Sequence, residues 1–69
     1  MLEVGDLITL NNDKKYIVTK QVYLKGHHYI FLISEDCISD FLICDFIKDE
    51  LEVVKDEELI KKLIALFNN

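Results

Sequence analysis

The sequence contains no proline and no arginine, and only two of its 69 residues are glycine. Without arginine, the chain lacks the planar guanidinium that best holds a phosphate or a guanine edge through two parallel hydrogen bonds. With two glycines, it has no glycine-rich loop of the kind that cradles phosphates. No apolar run approaches the ~20 residues that a membrane-spanning helix needs. These absences argue against a phosphate-binding loop and against a transmembrane helix.

Negative charge is concentrated in the second half of the chain. Residues 1–34 carry three acids and four lysines, whereas residues 35–69 carry ten acids and four lysines, and the formal net charge is −5. An acidic chain repels the phosphate backbone, so we expect no direct binding of DNA or RNA. An acidic surface can instead imitate a nucleic acid, or it can simply keep the chain in solution.

The amino terminus, MLEVGDLI, has neither the basic segment nor the apolar core of a secretory signal. We therefore expect a cytoplasmic protein that does not contact a membrane. Thiols stay reduced in that compartment, so Cys37 and Cys44 are expected to be free. Cys44 lies between Leu42 and Phe46 on one face of a strand, where we expect it to act as a small buried hydrophobe.

Short apolar segments separated by polar clusters predict a single domain over residues 1–69 with five antiparallel strands. The expected strands cover residues 5–10, 15–24, 27–34, 41–48 and 51–54. Polar turns are expected at residues 11–14 and at Lys25-Gly26, where glycine supplies a positive φ. Within the second strand, alternation places Tyr16, Val18 and Val22 on one face. Helix is an open alternative for residues 37–47, although we prefer strand.

The last segment has a helical period. Apolar residues recur at positions 59, 60, 63, 64 and 67 and form one stripe, and Asp56 is suited to cap the amino end. We expect a helix over about residues 56–67 that packs on the sheet. The fold class is therefore mainly β (α+β), as a curved antiparallel meander or a small SH3-like barrel of about five strands followed by one C-terminal amphipathic helix.

His27 and His28 raise the question of a metal site. Neighbouring residues in a strand point to opposite faces, so the two rings do not converge on one ion unless the chain bulges there. Cys37 and Cys44, with six residues between them, do not have the spacing of a metal motif. We predict that the histidines flank a tight turn and that the chain binds no metal and no cofactor.

Dense carboxylates over residues 36–52 raise the question of catalysis. Most of these acids fall in predicted loops or on the solvent side of a strand, and only Asp45 interrupts an apolar run. No serine or threonine stands in a glycine-flanked turn of the kind that exposes a nucleophile. We predict no catalytic residues and no enzymatic activity. A thiol-dependent or metal-dependent enzyme is the least favoured hypothesis.

The third and fourth predicted strands are apolar on both faces, whereas one helix covers only one face. The second face is expected to be buried by barrel closure, by a second copy or by another protein. We predict that Phe41, Ile43, Asp45 and Ile47 contact the partner. The expected function is a non-enzymatic protein–protein interaction module that forms a homodimer through this face. The alternative is a small acidic inhibitor, from a phage or another mobile element, that blocks a basic nucleic-acid-binding surface.

Residues 8–32 follow a recognisable order: I-x-L at residues 8–10, a polar turn, Y-x-V at residues 16–18, and Y-x-x-G-x-x-Y-x-x-L at residues 23–32. This order resembles a family of short acidic bacterial proteins that is catalogued as a domain of unknown function. The resemblance implies acid-rich strands and a terminal helix, and it implies no particular activity. The chain departs from the family in its thinner run of acids at residues 35–40. Residues 4–8 are also similar to the start of many SH3-like barrels.

Overall fold

The computed structural model describes residues 2–10, 13–37 and 39–68. In chain order the elements are β1 (Leu7–Thr9), β2 (Lys15–Leu24), β3 (His27–Ser34), β4 (Phe41–Ile47), β5 (Glu50–Val53) and α1 (Glu57–Phe67). The strands form one antiparallel sheet in the order β1-β2-β3-β4-β5, curled into a half-barrel. The predicted mainly β fold with a C-terminal helix is confirmed. None of the helices formed by the described residues has the length and apolarity needed to cross a membrane.

Two-residue hairpins set several strand ends. Lys25 and Gly26 have φ of 51° and 82°, and Lys48 and Asp49 have φ of 50° and 65°. Positive φ at both central residues is the geometry that matches the twist of antiparallel strands. The first hairpin was predicted, whereas the second replaces the predicted end of the fourth strand at residue 48 and start of the fifth at residue 51. Aspartate tolerates this conformation, so the second hairpin forms without glycine.

The first strand is shorter than predicted at both ends. Gly5 has a φ of 98° and its amide donates to the Val18 carbonyl at 2.7 Å, so the chain turns before it enters β1. Residues 41–47 form a strand and not a helix. Ile38, within the segment for which helix was an alternative, and Asn11 and Asn12, within the first predicted turn, lie outside the described residues.

A β-bulge interrupts β2 between Val18 and Lys20, where the register changes from Val18–Leu32 to Lys20–Phe31. The Thr19 hydroxyl donates to the Phe31 carbonyl at 3.0 Å at this point. One extra residue reverses which side chains face each side of the sheet. The prediction that Val22 shares a face with Tyr16 and Val18 is therefore wrong, because Val22 lies beyond the bulge and packs under the helix.

The sheet buries a separate apolar cluster on each face. The side that we call the hollow face carries five buried residues, namely Tyr16, Val18, Ile30, Leu32 and Cys44. The opposite side, the helix face, carries Tyr29 and Ile43, and α1 covers them with Leu63 and Phe67. Leu2, Ile8, Leu10 and Leu51 also pack on the hollow face, so segments from both edges of the sheet curl around that side.

The helix begins where it was predicted to be capped. The Asp56 carboxylate accepts hydrogen bonds from the Glu58 and Leu59 amides at 3.0 and 3.4 Å. At the other end, the Lys20 ammonium donates to the carbonyl of Phe67, which ties the last turn to β2. A cation at this end also complements the helix dipole.

Candidate functional site

An open groove with a volume of about 800 Å³ runs along the hollow face between the two edge strands. Leu42, Cys44 and Phe46 of β4 form its floor. The remaining lining residues come from the β1 side (Leu2, Thr9 and Leu10), from the β5 side (Leu51 and Val53) and from the hairpin at one end (Asp49 and Glu50). The lining is thus divided about equally between polar and apolar surface, with an apolar floor and with Asp49 and Glu50 at one end.

The groove is open because the barrel does not close. Over the described residues, β1 and β5 lie at opposite edges of the sheet and do not pair with each other. The two strands have only three and four residues. Val53 is 43% exposed although it lines the groove. Barrel closure was one of the predicted ways to bury a second apolar face. The strands curl towards each other but do not close the barrel, so part of this face stays open.

The backbone of β5 presents hydrogen-bonding groups to the open edge. Glu50 pairs with Ile47 across the two-residue turn, and the Val54 amide donates to the Ile43 carbonyl at 2.8 Å. Hydrogen-bonded positions alternate along an antiparallel strand, so residues 50, 52 and 54 bond to β4. The N–H and C=O groups of Leu51 and Val53 consequently point away from β4, towards the edge of the sheet.

Side chains along β5 alternate between acidic and apolar. Leu51 packs against the hollow-face cluster and Val53 lines the groove, whereas Glu50 and Glu52 are exposed. Glu52 stands directly opposite Asp45 in the ladder, on the helix-face side. The edge strand therefore combines an apolar side towards the groove with an acidic side towards solvent.

The four residues predicted to contact a partner all lie on β4, on the helix face, and the structure separates them by exposure. Ile43 is 3% exposed beneath α1, whereas Phe41 and Ile47 at the strand ends are 41% and 38% exposed. Phe41 stacks on Phe31 with ring centroids 5.2 Å apart. The helix thus covers the middle of the predicted patch, and a contact role for the four residues stays a prediction.

Asp45 is the polar member of this set. Its Oδ2 lies 2.8 Å from Nδ1 of His27, while its Oδ1 is buried and has no hydrogen-bond partner among the described residues. Burial and, secondarily, the Asp45 charge raise the pKa of the nearby Tyr29 hydroxyl. The contact with Asp45 places the ring of His27 at the rim of the helix face, not in the groove.

The two histidines point to opposite faces, as predicted. His28 Nε2 lies 2.6 Å from Oε1 of Gln21, and its ring stacks on Tyr23 and meets the edge of Phe46. Among the described residues, no group of three or more His, Cys, Asp and Glu side chains is arranged to hold a metal ion. The expectation that the chain binds no metal and no cofactor stays a prediction.

The two cysteines are free thiols in different surroundings. Cys44 is buried in the groove floor, as expected, and burial raises the pKa of its thiol to about 11. Cys37 is exposed, and a hydrogen bond with the Ser39 hydroxyl at 3.0 Å lowers the pKa of its thiol. This serine, which lies two residues after Cys37, was not considered as its neighbour in the sequence analysis.

A second, smaller pocket of about 310 Å³ lies on the other side of the sheet, beside the carboxyl end of α1. Phe31, Phe41 and Phe67 contribute aromatic surface to it, and Lys20 stands at its wall. The Lys20 ammonium, which donates to the Phe67 carbonyl, is the charged group among the residues that line this pocket. The larger groove has both apolar surface and exposed backbone, so it is the stronger candidate.

No protein-family model, no curated protein and no solved structure matches the chain. The resemblance to a family of short acidic bacterial proteins therefore stays a prediction. Sequence reasoning missed the groove, and its available signal was the acid-apolar alternation of Glu50, Leu51, Glu52 and Val53 in a strand too short to close a barrel.

Proposed function

We propose that the chain is a non-enzymatic protein-binding module whose groove takes an extended segment of another protein. The observation that carries this proposal is the groove, with its apolar floor, that is left open between two edge strands. The segment has apolar side chains that reach the groove floor and basic side chains that lie beside the acidic residues of β5. The partner is thus defined by its chemistry and not by a name.

The groove floor supplies the affinity in this proposal. Burying one side chain of the size of valine or leucine contributes roughly 1.5–3 kcal/mol before the entropy of association is subtracted. Leu42 and Phe46 are only partly buried by the chain's own residues, so they retain apolar surface for such contacts.

Charge favours a foreign segment over a second copy. The chain has a net charge of −5, and Asp49 and Glu50 stand at the end of the groove. A second copy would bring the same acids together, whereas a segment with lysine or arginine would be attracted to them. In place of the predicted homodimer through strands three and four, we therefore propose a complex with a different protein through the hollow face.

The acidic inhibitor remains the alternative. It shares a basic partner with our proposal, but its contacts are exposed charges and not an apolar groove. Exposed charge pairs are screened by salt, whereas burial of apolar groups is not, so salt dependence separates the two. An SH3-like affiliation and a cytoplasmic location stay predictions on which the groove proposal does not depend.

The experiment compares three labelled, blocked decapeptides by fluorescence anisotropy: one of leucine and lysine, one of serine and lysine, and one of leucine and serine. We expect the leucine–lysine peptide to bind best, at low and at high salt. Val53→Glu, in the groove, should weaken it about tenfold or more. Leu66→Glu, on the exposed side of α1, is the matched control and should leave binding unchanged.

Two results would overturn the proposal. One is equal binding of the serine–lysine peptide, which would reduce the interaction to surface charge. The other is an equal loss of binding in the Leu66→Glu control. Light scattering of the chain alone is expected to give a monomer, and a salt-independent dimer that Val53→Glu disrupts would make a second copy the occupant in place of a foreign segment.

A further inference from the structure

We infer that the bound segment adds to the sheet as a sixth strand, antiparallel to β5, with alternating basic and apolar residues. Its apolar residues lie over the groove, and its lysine or arginine residues lie beside Glu50 and Glu52. This inference rests on the proposed groove function and names the binding mode and the partner sequence pattern. Strand addition to an exposed sheet edge is a general mode of peptide recognition.

The backbone of β5 can pair with an added strand. Leu51 and Val53 direct their N–H and C=O groups to the edge, because residues 50, 52 and 54 bond to β4. An antiparallel strand placed there exchanges both hydrogen bonds with each of these two residues. The same strand occupies the open side of the half-barrel, above Leu51 and Val53, where it covers the groove.

The side chains fix the partner pattern. Residues directly opposite each other in an antiparallel pair point to the same face. Residues opposite Leu51 and Val53 therefore point into the groove and are apolar. Residues opposite Glu50 and Glu52 point to the other face, where lysine or arginine forms cross-strand ion pairs. The β1 edge offers no such selection, because its three residues, Leu7–Thr9, carry no charge.

Glu52 also favours a basic partner strand over a second copy of β5. It stands directly opposite Asp45 in the β4–β5 ladder, so the isolated chain places two acidic residues in one cross-strand pair. A basic residue on the free side of Glu52 relieves that repulsion. The same glutamates disfavour self-pairing, since two β5 strands that pair about Leu51 bring Glu50 of one copy against Glu52 of the other. Charged edges commonly prevent self-association, and here the charge also selects the partner.

The first test uses the unmodified protein and a blocked peptide of alternating lysine and valine. Valines opposite Leu51 and Val53 use their own N–H and C=O groups to bond to β5, whereas the lysine amides point outward. Methylating the valine backbone nitrogens should weaken binding about tenfold or more, while methylating the lysine backbone nitrogens should leave it nearly unchanged. Equal effects of the two methylation patterns would overturn strand addition.

The second test removes the donor from the protein. The Val53 N–H faces away from β4, so Val53→Pro deletes an edge donor without deleting a bond within the sheet. Val53→Ala is the matched control, because it loses the side chain and keeps the N–H. We expect Val53→Pro to bind the lysine–valine peptide about tenfold or more weakly than Val53→Ala does. Circular dichroism verifies that both variants keep the fold.

Charge reversal tests the partner pattern. The double variant Glu50→Lys with Glu52→Lys should lose the lysine–valine peptide and gain a glutamate–valine peptide, and unchanged preference would contradict the predicted pairing. The results also separate the two proposals. Binding that Val53→Glu abolishes and that both methylated peptides and Val53→Pro retain overturns strand addition alone. No binding by any apolar and basic peptide overturns the groove function as well.

Discussion

Asp45 and Glu52 stand directly opposite each other in the β4–β5 ladder. On the other side of Asp45, its carboxylate is 2.8 Å from the His27 ring. Like charges in a cross-strand pair destabilise a sheet by roughly 0.2–1 kcal/mol. We therefore expect the charge of Glu52 to weaken the isolated chain, and we expect a basic partner strand to stabilise it.

Replacing Glu52 with glutamine should therefore stabilise the free protein. We expect Glu52→Gln to raise the free energy of unfolding by roughly 0.2–1 kcal/mol in urea titrations at neutral pH. Glu50→Gln is the control, because Glu50 lies opposite Ile47 and not opposite an acid. Equal stabilities of the two variants would show that the Asp45–Glu52 pair is not repulsive.

Ile43 and Ile47 lie on the same face of β4 and differ in burial. Ile43→Asp places an unpaired carboxylate beneath α1 and should cost about 3 kcal/mol or more, which is a large part of the stability of a domain this small. Ile47 is 38% exposed, so Ile47→Asp should change stability by less than about 1 kcal/mol. Thermal melts followed by circular dichroism measure both. A stable, folded Ile43→Asp variant would contradict the described packing.

The amino end of α1 depends on the Asp56 carboxylate. Asp56→Ala removes the acceptor for the Glu58 and Leu59 amides and should lower the free energy of unfolding by about 0.5–2 kcal/mol. Asp56→Asn retains a capping oxygen and should lose less. If urea titrations give the same loss for both substitutions, the side chain does not cap the helix.

Cys44 predicts a loss of stability at alkaline pH. Burial raises the pKa of its thiol from 9.0 to about 11, so the unfolded chain loses this proton first. The contribution is complete below about pH 9 and is lost as the pH rises towards 11. Cys44→Ala should be less stable at neutral pH because of a small cavity, yet its stability should fall less steeply over this interval.

Urea titrations at several pH values between about 8 and 11 measure both slopes. Tyr29 also has a raised pKa and adds a decline of the same sign, but wild type and Cys44→Ala share it. The difference between the two curves therefore isolates the thiol. Parallel curves would mean that Cys44 is not buried as a neutral thiol.

Local patterns predicted the elements that depend on local chemistry. The stripe at residues 59–67 and the carboxylate of Asp56 identify α1, Gly26 identifies the first hairpin, and alternation places His27 and His28 on opposite faces. Such features need only neighbouring residues, so a sequence carries them directly. The second hairpin was placed less well, because Lys48 and Asp49 form it without glycine.

Long-range features were not predictable in the same way. The bulge at Thr19 moves Val22 to the other face. The alternation of apolar and polar residues in β2 does not predict this extra residue. Strands β3 and β4 are apolar on both sides, so their pattern alone does not say which side the helix covers. The direction in which the sheet curls decides that Ile43 lies beneath α1 and that Leu42 and Phe46 line the groove.

The most direct test of the groove is to map amide chemical shifts by NMR while the lysine–valine peptide is added. We predict the largest changes at Leu51, Val53 and Phe46, which belong to the edge strand and the groove floor. Changes confined to Phe41, Ile47 and Ile64, with Leu51 and Val53 unaffected, would place the contact on the helix face and contradict the account.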